Sequence, residues 1–112
     1  MARGNKDDPL NLTLTEEAIL NTLMYRERYG LEIMDAIAQA SQGKKKMGFS
    51  SLYPNLRKLE KRGFVASRWG DETPEEITGA RRRYYKITGS GLAAVRAKQE
   101  FLHTLQNLNL AL

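Results

Sequence analysis

The side chains best suited to bind a partner lie along one segment, Phe49–Gly63, whose sequence is FSSLYPNLRKLEKRG. Leu52, Leu56 and Leu59 recur there at helical spacing, which predicts a helix with one narrow buried stripe. The rest of that helix carries small polar and basic side chains, and Arg57 can bind two acceptors of one guanine. Such a helix fits the major groove of DNA, although a merely solvated basic face is the simpler alternative.

Start and stop signals frame this predicted helix. We expect Ser50 to cap its N-terminus and Pro54 to fall in or near the first turn, where a missing amide donor costs least. Lys61 and Arg62 are expected in the last turn, beside the negative end of the helix dipole. Gly63 is the expected left-handed residue after the helix.

Three groups of polar side chains are candidates for contact with DNA. Lysines in the loop before the helix suit phosphates, since flexible point charges carry little base information. Hydroxyl and amide groups at the helix start suit phosphates or base edges, although Ser50 could be only a cap and Tyr53 could only cover the core. For Arg57, a phosphate contact is the alternative to base recognition. The predicted DNA-contacting residues are Lys44, Lys45, Lys46, Ser50, Ser51, Tyr53, Pro54, Asn55, Arg57, Lys58, Lys61, Arg81, Arg82 and Arg83.

Positive charge is concentrated in the middle of the chain. Residues 44–86 contain twelve Lys and Arg side chains against five Asp and Glu, whereas the whole chain has a net charge of only +5. This distribution predicts a polyanionic partner such as double-stranded DNA. A membrane surface is a weaker alternative, because the basic residues do not lie on one strongly amphipathic helix.

Composition argues against several other classes of protein. The 112 residues suit one domain, and the absence of cysteine removes disulfides, thiol nucleophiles and thiolate metal sites. No apolar run reaches the roughly 18 residues of a membrane span, and the N-terminus lacks a secretory signal, so a cytoplasmic location is expected. His103 is the only histidine and no phosphate-binding glycine loop is present. We therefore expect no enzyme, no metal and no cofactor.

Two further helices are predicted before the basic one. Thr13–Glu16 has the form of a capping box, which predicts a helix that runs to about Arg28. Tyr29-Gly30 breaks that helix, and a second helix follows from about residue 31 to residue 42. A short basic loop then leads into the third helix, so the three together describe a helix-turn-helix.

Two β-prone segments follow the third helix. Residues 64–69 and 82–87 are separated by a polar loop, Gly70–Ala80, with glycines and a proline. Together they predict a hairpin, the wing of a winged helix. DNA would repel the four acidic residues of the loop, so we expect its tip to point away from DNA or to stay mobile.

The sequence leaves two alternatives open for the basic side chains of the wing, and two for its aromatic side chains. Since side chains alternate along a strand, we expect Arg81 and Arg83 together, or Arg82 alone, to reach the minor groove or its phosphates. Three aromatic side chains are expected to pack across the hairpin, with stacking on bases as the alternative. They are Trp69, Tyr84 and Tyr85.

The last segment predicts a long helix with an apolar face. Thr88 is expected to cap it, and apolar side chains recur as far as Leu110. Its own chain leaves little core for it to cover, so we expect pairing with a second copy. Such a dimer would place two recognition helices about 34 Å apart, or a multiple of that distance. The predicted dimerisation residues are Leu92, Val95, Phe101, Leu102, Leu105 and Leu108.

The predicted fold class is mainly α with a small β-hairpin. It is a winged helix-turn-helix followed by a C-terminal dimerisation helix. Residues 1–12 are expected to form a flexible tail, residues 13–88 the winged-helix domain, and residues 89–112 the dimerisation helix.

Four motifs, in order and with matching spacing, resemble those of the PadR-type winged-helix transcription regulators. Tyr29–Ile33 resembles the opening of that family's second helix, and Ser51–Gly63 resembles its recognition helix. Arg82–Tyr85 resembles the entry to the second wing strand, and Thr88–Gly91 resembles the start of the last helix. The resemblance covers the chain from about residue 14 to residue 95.

The resemblance implies a homodimeric transcription factor, usually a repressor, bound at an inverted repeat and joined through its C-terminal helix. Some family members sense phenolic acids or drugs. This sequence matches neither the larger C-terminal domain of long members nor the aromatic residue with which short members hold flat drugs. A small-molecule effector bound at the dimer interface, near Met24, Phe101 and Leu105, is one alternative. A protein-interaction module that uses its basic face on an acidic partner is another.

Overall fold

The computed structural model describes residues 8–70 and 81–108. Within them, helices and a three-stranded antiparallel sheet of order β1-β3-β2 surround one apolar core. This arrangement confirms the predicted winged helix-turn-helix. The elements are a short 3-10 helix (Pro9–Asn11), α1 (Leu14–Thr22), β1 (Arg28–Tyr29), α2 (Gly30–Ala40), α3 (Phe49–Lys61), β2 (Val65–Trp69), β3 (Arg83–Ile87) and α4 (Gly89–Leu108).

The first helix is shorter than predicted, and a third strand follows it. Helix α1 ends at Thr22 and not at about Arg28, since Arg28 and Tyr29 pair with Tyr85 and Tyr84 of β3. The Arg28 Nε donates to the Thr22 carbonyl oxygen at 2.6 Å. That bond satisfies an acceptor which the helix end leaves open.

The segment just before α1 is packed onto the protein. Asp8 caps the 3-10 helix, and Leu12 is buried in the core. From α4, the Lys98 ammonium donates to the Leu12 carbonyl oxygen. The expectation of a flexible tail is therefore wrong for residues 8–12, and residues 1–7 lie outside the described part of the chain.

Helix α3 begins earlier than its sequence suggested. Gly48 is the N-cap residue, and its carbonyl oxygen accepts from the amides of Ser51 and Leu52 at 3.1 and 2.9 Å. Ser50 therefore lies inside the first turn, and Pro54 lies inside the helix. The amide that Pro54 lacks would have bonded to the Ser50 carbonyl, and because Ser50 is exposed, water can satisfy that acceptor.

The packing face and the end of α3 follow the sequence pattern, with one exception. All three leucines of the predicted stripe are fully buried, and Gly63 after the helix has the expected positive φ of 78°. Arg62 does not face solvent beside the helix end. It turns into the protein, where its Nη1 lies 3.3 Å from the Glu16 Oε2.

Helix α4 is divided between the core and the surface. The Thr88 hydroxyl caps it as predicted, by accepting from the Gly91 amide at 3.0 Å. Val95 is 1% exposed and belongs to the core of its own chain, so its assignment to a dimerisation face is wrong. Leu92 is half-buried. The remaining predicted interface residues are exposed: Phe101, Leu102, Leu105 and Leu108.

Candidate nucleic-acid interface

The outward surface of α3 is basic and is supported by its buried leucine stripe. Arg57, Lys58 and Lys61 are exposed, and together with Pro54 and Glu60 they line a shallow groove along the helix. This surface offers a guanidinium and two ammonium groups at one side of the protein. Such groups can bind base edges and backbone phosphates.

Polar side chains at the start of α3 divide between solvent and the protein. Ser50 and Ser51 are exposed, whereas Tyr53 is half-buried and its ring stacks on Phe49 with centroids 5.6 Å apart. The Asn55 side-chain amide donates to the Ser51 carbonyl oxygen at 2.9 Å. One donor of Asn55 therefore serves its own helix, while the hydroxyls of the serines face outward.

The basic loop before α3 is anchored at its middle lysine. The Lys45 amide donates to the Ser41 hydroxyl at 2.9 Å, and Lys45 is half-buried. Lys44 and Lys46 are exposed on either side of it. The loop thus presents two ammonium groups ahead of α3, an arrangement suited to phosphates more than to bases.

Successive arginines of the wing contact different aromatic rings. The guanidinium carbon of Arg82 lies 4.6 Å from the Tyr29 ring centroid, and that of Arg83 lies 5.0 Å from the Trp69 centroid. Arg81 lies just before β3, and the three arginines line a cleft between the wing and the start of α3. The acidic loop tip, with Asp71, Glu72, Glu75 and Glu76, lies outside the described residues.

Two of the three wing aromatics pack within the protein as predicted. Tyr85 is buried, and this burial raises the pKa of its hydroxyl. Tyr84 meets Tyr29 edge-on, with ring centroids 5.7 Å apart. Trp69 is instead about half exposed and lines the cleft beside the arginines.

Two acidic side chains outside the predicted set of DNA-contacting residues hold the wing. The Glu27 carboxylate accepts two hydrogen bonds from Arg68 on β2, at 2.9 and 2.7 Å, and these bonds lower the pKa of Glu27. Glu60 on α3 accepts from the Ser67 hydroxyl on β2 at 2.7 Å. Local patterns do not reveal such pairs, because the first joins residues 41 positions apart.

Features of other kinds of site are sparse in residues 8–70 and 81–108. Those residues contain no cluster of three or more potential metal ligands, and no helix among them is long and apolar enough to cross a membrane. His103 lies on the exposed part of α4, with its Nε2 2.9 Å from the Asn107 amide nitrogen. Of the residues considered for an effector pocket, Met24 packs against the core, while Phe101 and Leu105 are exposed.

A basic helix presented beside a three-stranded wing defines the class of winged helix-turn-helix proteins. Within that class, the model of the transcriptional regulator PadR-like family matches residues 19–97. The chain therefore belongs to the PadR-like family of transcriptional regulators, which is not a family of enzymes. The family that the four motifs suggested is confirmed.

Similar proteins extend this assignment to both sequence and structure. An uncharacterised protein of Lysinibacillus sphaericus is 30% identical over 78 residues, which are 70% of this chain and 68% of that protein. The transcriptional regulator Cth-833 of Clostridium thermocellum has a TM-score of 0.69 and 28% identity, over 86% of this chain and 89% of its own. Bacillus subtilis PadR in complex with operator DNA has a TM-score of 0.65 and 25% identity. The match covers 76% of this chain and 47% of that protein's chain.

Proposed function

We propose that the protein is a homodimeric, sequence-specific DNA-binding repressor that acts in the cytoplasm on an inverted-repeat operator. The observation that carries the proposal is the exposed basic face of α3, backed by a fully buried leucine stripe and flanked by a wing. Bacillus subtilis PadR, whose fold is similar, has been solved in complex with operator DNA, and this likeness supports DNA binding by the present chain.

Each part of the proposed interface has its own role. Helix α3 enters the major groove, where Arg57 reads a guanine edge through its two-pronged guanidinium. Lys58, Lys61 and the lysines of the preceding loop neutralise phosphates, which orients the protein without reading sequence. Arg81 and Arg82 precede β3, so strand alternation does not separate them, and both reach the flanking backbone or minor groove from the wing.

The second half of α4 supplies the proposed dimer interface. Phe101, Leu102, Leu105 and Leu108 are each between 42% and 54% exposed. A contiguous apolar surface of this kind gains free energy when it is removed from water, and a second copy can cover it symmetrically. Two subunits then present two copies of α3 to the two halves of an operator.

Selection from random duplex DNA with the purified protein tests this function. We expect an enriched inverted repeat, bound about 10³-fold or more tightly than a scrambled duplex in fluorescence anisotropy. Binding should weaken steeply as salt rises, because phosphate contacts release counterions. Failure to enrich any motif, with both duplexes released by the same salt, would contradict sequence-specific recognition.

Two matched substitutions separate base reading from general charge. Arg57→Ala should weaken binding to the selected site and relax the preference at one base pair, by a factor of about 10 to 100. Arg96→Ala removes the same charge from an exposed position on α4 and should leave base preference intact. An Arg57→Ala protein with unchanged preference would show that Arg57 is not a reader.

A further inference from the structure

Glu60 is an acidic side chain on the otherwise basic surface of α3. It is 37% exposed and lines the same groove as Arg57, Lys58 and Lys61. A carboxylate at that position repels phosphates, so electrostatics alone gives it no use in DNA binding. Its contacts, however, lead directly to the wing.

Glu60, Ser67 and Arg83 form one continuous set of hydrogen bonds, which we call the wing clasp. The Ser67 hydroxyl donates to the Glu60 Oε2 at 2.7 Å and accepts from the Nε and Nη2 of Arg83 at 3.0 and 2.8 Å. The Arg83 Nη2 also lies 3.8 Å from the Glu60 Oε1. Helix α3 and both long strands of the wing are thereby connected through side chains.

The Trp69 ring supports the basic end of the clasp. The Arg83 guanidinium carbon lies 5.0 Å from the centroid of that ring, within range of a cation–π contact, and Arg83 is directly opposite Trp69 in the β2–β3 register. The guanidinium is thus held by an aromatic face, a hydroxyl and a carboxylate of its own chain.

We infer that Glu60 and Arg83 are positioning residues, which fix the wing relative to α3 so that both can engage one operator half-site together. Ion pairs as exposed as this one add little to folding stability, so the effect of the clasp lies in orientation. A wing already in place lowers the ordering cost of binding. The inference rests on the proposed DNA-binding function and assigns Arg83 a role other than the DNA contact expected from its sequence.

Replacement of Glu60 distinguishes this role from simple electrostatics by the sign of the effect. Glu60→Ala removes a negative charge next to the proposed DNA surface, so electrostatics alone predicts tighter binding. The clasp predicts weaker binding, by about threefold per subunit and roughly tenfold for a dimer that occupies both half-sites. Glu100→Ala, at an exposed position on α4, is the matched control and should not weaken binding.

The partner substitution completes the test. Arg83→Ala should weaken operator binding to a similar degree, and the double variant should bind no more weakly than Arg83→Ala alone. Two results together would overturn the inference: tighter binding by Glu60→Ala, and a lower salt dependence of binding by Arg83→Ala. The lower salt dependence would indicate a lost phosphate contact, and Arg83 would then be a direct DNA contact.

A measurement without DNA tests whether the wing clasp holds the wing in place, and it does so independently of the proposed function. Trp69 is the single tryptophan of the chain, so its fluorescence reports on the base of the wing. Glu60→Ala should increase quenching of Trp69 by acrylamide relative to the wild type and Glu100→Ala, at an unchanged circular dichroism spectrum. Unchanged quenching would overturn the clasp. If the wild-type protein selects no preferred duplex, the proposed function is overturned. The quenching result would still decide whether the clasp exists.

Discussion

Arg62 at the end of α3 and Glu16 in the first turn of α1 form a largely buried ion pair, with 3.3 Å between Arg62 Nη1 and Glu16 Oε2. The other oxygen of that carboxylate accepts from the Thr13 amide at 2.8 Å and so completes the capping box of α1. One carboxylate therefore starts the first helix and also anchors the end of the proposed recognition helix.

Loss of the cation from this pair should be costly. Arg62→Met leaves a buried carboxylate without its partner, and we expect the free energy of unfolding to fall by about 3 kcal/mol in urea denaturation. Arg26→Met is the control, because the Arg26–Glu32 pair is far more exposed, and it should cost under about 1 kcal/mol. Equal losses from the two variants would show that burial of the Arg62–Glu16 pair is unimportant.

The contact between Gly91 and the Phe64 carbonyl should tolerate no side chain. A Cβ at Gly91 would overlap that backbone oxygen, which cannot rotate away, so Gly91→Ala should destabilise the fold by about 2–3 kcal/mol. Gly89→Ala places the same methyl group in open space two residues earlier in α4. Thermal unfolding should show a lower Tm for Gly91→Ala only, and a similar Tm for both variants would argue against the close approach of α4.

Acid should loosen the attachment of the wing through Glu27. Because hydrogen bonds from Arg68 lower the pKa of Glu27 in the folded protein, the pair stabilises the fold above the unfolded-state pKa of about 4.3. That contribution is lost as pH falls through the lower folded-state value. Solvent screening limits it to about 1 kcal/mol or less, since the Arg68 side chain is 54% exposed and that of Glu27 is 34% exposed.

Glu27→Gln provides the comparison for this pH dependence. The variant should be less stable than the wild type at pH 7, and the difference should shrink as pH falls below the unfolded-state pKa of Glu27, as measured by urea denaturation at a series of pH values. A constant difference at every pH would show that the charge of Glu27 is not the stabilising feature.

The exposed end of α4 should control assembly. Leu105→Glu places a charge in the middle of the proposed apolar interface, where burial without a partner is unfavourable, so we expect monomers in analytical ultracentrifugation. Gln106→Glu adds the same charge at the neighbouring exposed position and should leave the dimer largely intact. If Leu105→Glu sediments like the wild type, another surface must join the subunits.

Short-range patterns were sufficient to predict most elements of this fold. The capping box at Thr13–Glu16, the leucine stripe of α3, the left-handed Gly63 and the Thr88 cap each depend on residues within about one or two helical turns of one another. Their geometry is set by the local backbone and by apolar periodicity. The basic surface of α3 follows from the same periodicity, because burial of the leucines leaves the cations outside.

Contacts between distant segments were decided only in the folded chain. Strand β1 has two residues and exists because β3 supplies its hydrogen-bond partners, while Val95 is buried because α4 packs on the core with its first half. The sequence left open whether Arg81 and Arg83 together, or Arg82 alone, face DNA, and only the folded chain brings Arg83 to Ser67 and Glu60. A charged side chain takes the partner that folding brings within a few ångströms, and spacing along the chain does not identify that partner.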